Sequence, residues 1–570
     1  MPQKLGFLIL FLFTALPSHY LFSQVYHQNG MVVSTNEIAS RVGVDILKKG
    51  GNAIDASVAT AFALAVTHPS AGNIGGGGFL LFMDADGKTT AIDFREKAPL
   101  KASPTMFLDD EGQLTRGKNH YGGTSTSNHI GAKSIGVPGT VAGLYLAHQK
   151  YGKLPWKKLV QPSIDLAKNG FPLSWSLYSA GDRLGQNSPI PFLRDYFRKD
   201  NGEITQFGEL WKQPALANTL KKIRDQGHDG FYKGKVAKEI ARFMEVNGGI
   251  ITEEDLERYQ AVERKPIKGT FHGYDIYSMP PPSSGGVALV EMMNIMELAD
   301  LDSIEFNSTA YFHLLAEVMR RAYADRAQYL GDADFNIDLP LDKLTSKTYA
   351  RNRFDNIDPT KASPSDSSRF GQLYDGKSTT HFSVMDKEGS AVSLTYTLEQ
   401  GYGSGMGSEK LGFIFNNEMG DFNPQPGITT NRGQIGTNPN LIQPEKRMLS
   451  SMTPTIVAKN GKPYLVIGSP GGRTIINTVF QTTLNVLAYD MRVDKAIEAV
   501  KIHHQWLPDL MRYERGLLSP DTRQHLEAMN HKLVPVNALG QLMGIQVDVE
   551  NHILIGASDS SSPDGAAVGY

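Results

Sequence analysis

Two threonines stand where the chain changes character. The polar, turn-rich run PTKASPSDSSRFGQLYDGKS (359–378) stops, and a strand-like run, TTHFSVMDKEGSAVSLTYTL (379–398), begins on Thr379 and Thr380. A cut between Ser378 and Thr379 would free an α-amine on a residue that also carries a hydroxyl. A hydroxyl is a poor nucleophile near neutral pH without an adjacent base. A free α-amine, with a pKa of about 7.7–8.0, can be that base. The Asp386–Gly389 turn makes the run a predicted hairpin. A five-residue loop over 386–390 places Thr397 opposite Thr379, whereas a four-residue loop misses by one. Threonine is common in strands, so the pair alone carries little.

Other side chains that could do chemistry fare less well. Gly371 to Ser378 fits the G-x-x-x-x-G-K-[ST] expression, but a polar linker precedes it and a hairpin follows, so no strand and helix frame a phosphate. His503 and His504 are adjacent and cannot share a helix face, and no His/Glu spacing matches a zinc motif. No G-x-S-x-G elbow is present. Arg95, in DFREKAP, reads as a surface salt-bridge partner or, alternatively, as a bidentate clamp for a carboxylate.

These residues need a scaffold. MVVSTNEIASRVGVDILKKGGNA reads as strand, cap (Ser34, Thr35 or Asn36), helix and Gly50-Gly51 stop. Ala53–Thr67 is apolar on nearly all sides and is expected to be a buried helix. NIGGGGFLLFM (73–83) leads glycines into a strand, which suggests close backbone packing rather than a phosphate loop. The chain from about 135 to 330 reads mostly helical, including an amphipathic helix over 307–332. Strand KPYLVIGSPGG (462–472) feeds a helix over Thr474–Tyr489. Segment 359–378 has the composition of a linker.

With 570 residues and a net charge of -2, the chain is a large α/β-type globular protein with no electrostatic case for a nucleic-acid partner. Residues 1–23 resemble a secretory signal: Lys4, an apolar core from Leu5 to Leu16, and small residues Ser18 or Ser23 as cleavage positions. The absence of cysteine suits export to a bacterial periplasm or exterior. No other segment is long and apolar enough for a membrane helix.

T-T-H-F-S-V, D-K-E-G, T-Y-T-L, F-N-N-E-M-G-D-F, L-S-S-M-T-P-T-I-V and G-S-P-G-G-R occur here in the order and spacing of the γ-glutamyltransferases (γ-glutamyltranspeptidases). N-I-G-G-G-G-F, D-F-R-E-K-A-P, G-V-P-G and P-P-P-S-S-G-G match that family's first half, so the whole chain after the signal resembles it. The resemblance implies an α+β fold, the four-layer αββα sandwich of N-terminal-nucleophile hydrolases. It implies a precursor that cuts itself at Ser378-Thr379 into a large subunit, 24–378, with linker 359–378, and a small catalytic subunit, 379–570. Thr379, rather than Thr380, becomes nucleophile and amine base, and Thr397 orients it. Arg95, Ser450 and Ser451 take the donor's α-carboxylate; Glu418 and Asp421 take its ammonium. Glu399 stands where some members carry Asn, and either can hydrogen-bond an ammonium. The amides of Gly471 and Gly472 form the oxyanion hole. The expected reaction moves a γ-glutamyl group from glutathione or related compounds, through Thr379, to water, amino acids or peptides, without cofactor or metal. A lid loop over 423–447 carries Arg432 where well-known bacterial members have a tyrosine. The alternatives are a related acylase or poly-γ-glutamate amidohydrolase, or a non-enzymatic periplasmic binding protein.

Overall fold

The threonine hairpin forms with the five-residue loop. Ser378–Met385 pairs antiparallel with Ala391–Glu399, Met385 opposite Ala391 and Thr379 opposite Thr397. Asp386 closes the turn: its carboxylate accepts the Ser390 amide at 2.9 Å and its carbonyl accepts the Gly389 amide at 3.1 Å, with Gly389 at φ 93°. A positive φ there suits glycine, so turn chemistry sets the register. The structure is a computed structural model that describes residues 24–199, 201–365, 378–428, 430–431 and 434–570. The signal-like segment, Arg432 and the P-loop-like run up to residue 377 lie outside the described residues.

The hairpin occupies the centre of a seven-stranded antiparallel sheet. In order this sheet is Ala566–Gly569, Met31–Ser34, Ser378–Met385, Ala391–Glu399, Gly77–Met83, Thr89–Phe94 and Val262–Arg264. The glycine run lets Gly77–Met83 lie close on the hairpin. A Cβ at Gly76 would stand 2.0 Å from the Thr397 carbonyl oxygen, and one at Gly78 would stand 2.5 Å from Tyr396 Cα. This is the close packing that the glycines suggested.

Strand side chains alternate between two faces. Phe382, Val384, Val392, Leu394 and Tyr396 pack outward against helices that include Ala53–Thr67, which is buried at every residue. The other face, with Val33, Phe79, Leu81 and Met385, meets a second seven-stranded antiparallel sheet containing Thr455–Lys459 and Lys462–Gly468. Helices Gly285–Met296, Thr309–Tyr329 and Thr474–Ala488 pack with that second sheet, which completes four layers in the order αββα.

Two expectations change. The helix Thr309–Tyr329 is buried along most of its length rather than amphipathic. Its charges are taken up inside: Glu317 pairs with Arg320 and Arg321, and Asp325 with Arg353. The described start of the predicted linker is anchored. Ser363 N donates to Glu317 (3.0 Å) and Ser365 N to Asp509 (3.1 Å), while Ser378 already lies in the hairpin strand. Among the described residues, no helix is long and apolar enough to cross a membrane.

Candidate active site

Strand alternation separates the two threonines. Thr380 turns to the helix layer, is fully buried, and shares a hydroxyl–hydroxyl hydrogen bond of 2.6 Å with Thr35. Thr379 turns the other way and lines a cavity with Arg95, Glu418, Asp421, Ser450, Ser451 and Gly472, among others. Its Oγ1 donates to Thr397 Oγ1 at 3.4 Å. Thr397 Oγ1 also accepts the Glu399 amide at 2.8 Å, and its carbonyl accepts Asn73 Nδ2 at 2.9 Å, so this second hydroxyl is held from both ends of its residue.

Arg95 is fully buried, which removes the surface salt-bridge reading. It follows the strand Thr89–Phe94, and its Nη atoms meet Glu418 Oε2 at 2.6 Å, Asp421 Oδ2 at 2.5 Å and Glu96 Oε2 at 3.4 Å. Burial alone would discharge the guanidinium; the three acids more than offset this and raise its pKa. The acids outnumber the cation, however. Burial pushes Glu418 well above the usual carboxylate range against the pull of Arg95, and pushes Glu96 up to about 8. Neither Glu418 oxygen accepts a hydrogen bond, and Glu399 Oε1 has none either. Buried carboxylate oxygens without donors are costly. The arrangement therefore suits a ligand that brings N–H groups and positive charge.

FNNEMGDF is folded by its asparagines. Asn416 Nδ2 donates to the carbonyls of Gly75 and Gly136 (both 2.8 Å), and Asn417 Nδ2 donates to His129 O at 3.0 Å. Glu418 is thereby fixed beneath the glycine run. Glu399 ends the hairpin at φ 78°, a strained value for a non-glycine residue, and its Oε2 lies 3.3 Å from His129 Nδ1. Burial raises its pKa too, with His129 pulling the other way.

Ser450 and Ser451 are held by the PPPSSGG turn. Ser450 N donates to Pro282 O, and Ser284 N donates to Ser450 O, each at 2.9 Å. Gly471 and Gly472 lie between the strand Lys462–Gly468 and the helix Thr474–Ala488, with φ of 135° and 58°. Gly472 lines the Thr379 cavity; Gly471 lines an adjoining one that Thr379 also borders. Among the described residues, neither amide donates a hydrogen bond. All the site residues expected from sequence thus converge around Thr379. Sequence reading missed Arg326, Arg473, Met452 and Ile475 on the cavity wall and His129 behind Glu399. Met452 and Arg473 stand beside predicted site residues in L-S-S-M-T-P-T-I-V and G-S-P-G-G-R, which was the available signal, whereas Arg326, Ile475 and His129 lie outside the quoted motifs. Among the described residues, no group of three or more His, Asp or Glu side chains is arranged to hold a metal ion.

Residues 39–569 match the family model described as gamma-glutamyltranspeptidase. The chain is 46% identical over 559 residues to a glutathione hydrolase proenzyme of Escherichia coli, covering 96% of this chain and 93% of the relative. Among solved structures, a cephalosporin acylase from Bacillus halodurans superposes with a TM-score of 0.83 at 25% identity, covering 99% of both chains. Helicobacter pylori gamma-glutamyltranspeptidase gives a TM-score of 0.55 at 44% identity, over 59% of this chain and 94% of that one.

Proposed function

The chain belongs to the γ-glutamyltranspeptidase family, and on that premise we propose how its residues carry out self-cleavage and γ-glutamyl transfer. It is a self-processing γ-glutamyltransferase and glutathione hydrolase. In the precursor the Thr379 hydroxyl adds to the Ser378 carbonyl; the peptide C–N bond breaks, the nitrogen takes the proton, and water hydrolyses the resulting ester. This yields a large subunit, 24–378, and a small one, 379–570, after removal of the 1–23 signal on export to the periplasm.

In the mature enzyme the new amine accepts the Thr379 hydroxyl proton as the oxygen attacks the donor's γ-carbonyl. The amides of Gly471 and Gly472 receive the oxyanion; such donors are worth about 10²–10³ in rate. The leaving amine departs protonated, and water or an acceptor amine then takes the γ-glutamyl group from Thr379. Donor binding exchanges ions charge for charge. Arg95 occupies Glu418 and Asp421 in the free protein, so these pairs part as the donor head group binds. The ammonium replaces the guanidinium beside Glu418, Asp421 and Glu399, and the carboxylate takes the N–H groups of Arg95 together with Ser450 and Ser451.

The observation that carries this reading is Thr379 Oγ1 on Thr397 Oγ1, in a cavity where the carboxylates of Glu418, Asp421 and Glu399 crowd one guanidinium and oxygens of Glu418 and Glu399 accept no hydrogen bond. Wild type is expected to run as two bands of roughly 39 and 21 kDa at about 110 Da per residue. Thr379→Ala is expected to run as one band and to release nothing from γ-glutamyl-p-nitroanilide. A cut T379A protein, or an uncut wild type with full turnover, would overturn the reading. The acids also separate it from a glutaryl acylase, whose substrate has no ammonium: γ-glutamyl-p-nitroanilide should be cleaved in preference to glutaryl-p-nitroanilide.

A further inference from the structure

The cavity holds a second guanidinium that differs from Arg95 in one respect: among the described residues, no carboxylate stands within ion-pair distance of it. Arg326 projects from the helix Thr309–Tyr329, is 4% exposed, and lines the cavity with Thr379, Ser450 and Ser451. Its Nε donates to Ser284 Oγ at 2.8 Å and its Nη2 to Ser451 Oγ at 3.0 Å. Ser284 in turn donates through Oγ to the Ser450 carbonyl at 2.6 Å. Arg326 therefore braces both serines from behind. Among the described residues it forms no ion pair, and its Nη1 makes no hydrogen bond. Burial lowers its pKa, and the more distant Asp421 and Tyr323 only partly oppose this. A buried cation with unused donors is costly until an anion arrives.

We propose that Arg326 is a specificity-determining residue of the donor site, a second cation that joins Arg95, Ser450 and Ser451 on the donor's α-carboxylate. The proposal rests on the reading that the donor is a γ-glutamyl compound. Arg95 must give up acids before it can bind a carboxylate; Arg326 has none to give up. The dipolar head of the donor then lies between two unlike walls. Its ammonium faces Glu418, Asp421 and Glu399, and its carboxylate meets Arg95, once parted from those acids, together with Arg326.

Two neutral variants test this, Arg326→Gln, which keeps a donor toward Ser451, and Arg326→Met, with Arg326→Lys as the charge-retaining control. Three p-nitroanilides are compared on purified enzyme: γ-glutamyl, 4-aminobutyryl, which lacks the α-carboxylate, and glutaryl, which lacks the ammonium. Losing a charge-assisted contact is expected to lower kcat/KM for the γ-glutamyl donor about 10- to 100-fold, mainly through KM. The 4-aminobutyryl rate should stay within about 2-fold, so the preference for the carboxylate collapses. R326K should recover part of it. Equal losses on both donors would mean a structural role and would overturn the proposal, as would an unchanged preference. Failure of both neutral variants to self-cleave would also count against it, because the cut needs no α-carboxylate site. If wild type cleaves none of the three donors, the functional reading itself fails; if wild type cleaves the γ-glutamyl donor and the variants keep their selectivity, only the role of Arg326 fails.

Discussion

Glu418 lines the same cavity as Arg326 and carries the opposite chemistry. It is fully buried, its oxygens accept no hydrogen bond, and burial holds its pKa well up against Arg95. An incoming ammonium favours the ionised carboxylate, so donor binding should release a proton. Linkage then fixes the sign: donor affinity improves as pH rises through the range in which the free enzyme holds that proton. KM for γ-glutamyl-p-nitroanilide is expected to fall as pH rises above the usual carboxylate range in wild type and to change less in Glu418→Gln. The same variant should lose about 10-fold in kcat/KM on the γ-glutamyl donor and little on the glutaryl one, because the amide keeps an acceptor oxygen for the ammonium but not the opposing charge. A steep pH dependence of KM that survives in E418Q would locate the proton elsewhere, with Glu96 or Glu399 as the next groups to test.

Among the elements, the hairpin decides which threonine can act. Its alternation puts Thr379 in the cavity and Thr380 against Thr35, so Thr380→Val should still self-cleave and turn over. It should be less stable by about 1–2 kcal/mol, since Thr35 Oγ1 loses its buried partner. A single uncut band from folded T380V would contradict the assignment of faces. This hairpin was legible because its turn, Asp-Lys-Glu-Gly, is local, but the choice between a five- and a four-residue loop, and with it Thr379 opposite Thr397, was left to the structure. The glycine run and the buried helix Ala53–Thr67 were legible for the same reason, through side-chain size and composition. Arg326 was not. It lies in a stretch, MRRAYADRAQY, whose charges read as a solvated helix face, and only tertiary partners such as Glu317, Asp325 and Ser451 make that face an interior one. His129 was hidden by distance, because it reaches Glu399 from 270 residues away with no periodic pattern around it.

For the whole molecule, the proposed cut falls inside a shared sheet. The small subunit's hairpin is hydrogen-bonded to Met31–Ser34 on one side and Gly77–Met83 on the other, both from the large subunit. The proposed subunits share both main hydrophobic cores and should part only as they unfold. Between the two sheets lies a polar seam centred on His381, whose ring bonds Thr395 Oγ1 at 2.8 Å and Ser383 Oγ at 3.1 Å. Ser383 and Ser393 reach across to carbonyls of the second sheet, Met543 O at 3.1 Å and Ile467 O at 3.0 Å. Burial lowers the His381 pKa from 6.5 to about 3, so the folded protein keeps it neutral. Below pH 6.5 the unfolded chain takes up a proton that the native state refuses. The stability that this neutral ring contributes is therefore full above pH 6.5 and falls as pH drops toward 3, by about 2 kcal/mol at pH 5. His504, lowered to about 4 by burial and Arg320, acts in the same direction. Thermal unfolding of the mature heterodimer should move to lower temperature between pH 7.5 and pH 5, with both subunits lost in one transition. In His381→Gln, which can still bond Thr395 and Ser383 but does not titrate, the fall should be smaller by about 2 kcal/mol. An equal fall in wild type and H381Q would mean that the seam does not report acid to the fold; release of one folded subunit before the other would mean that the shared sheet does not bind them into one unit.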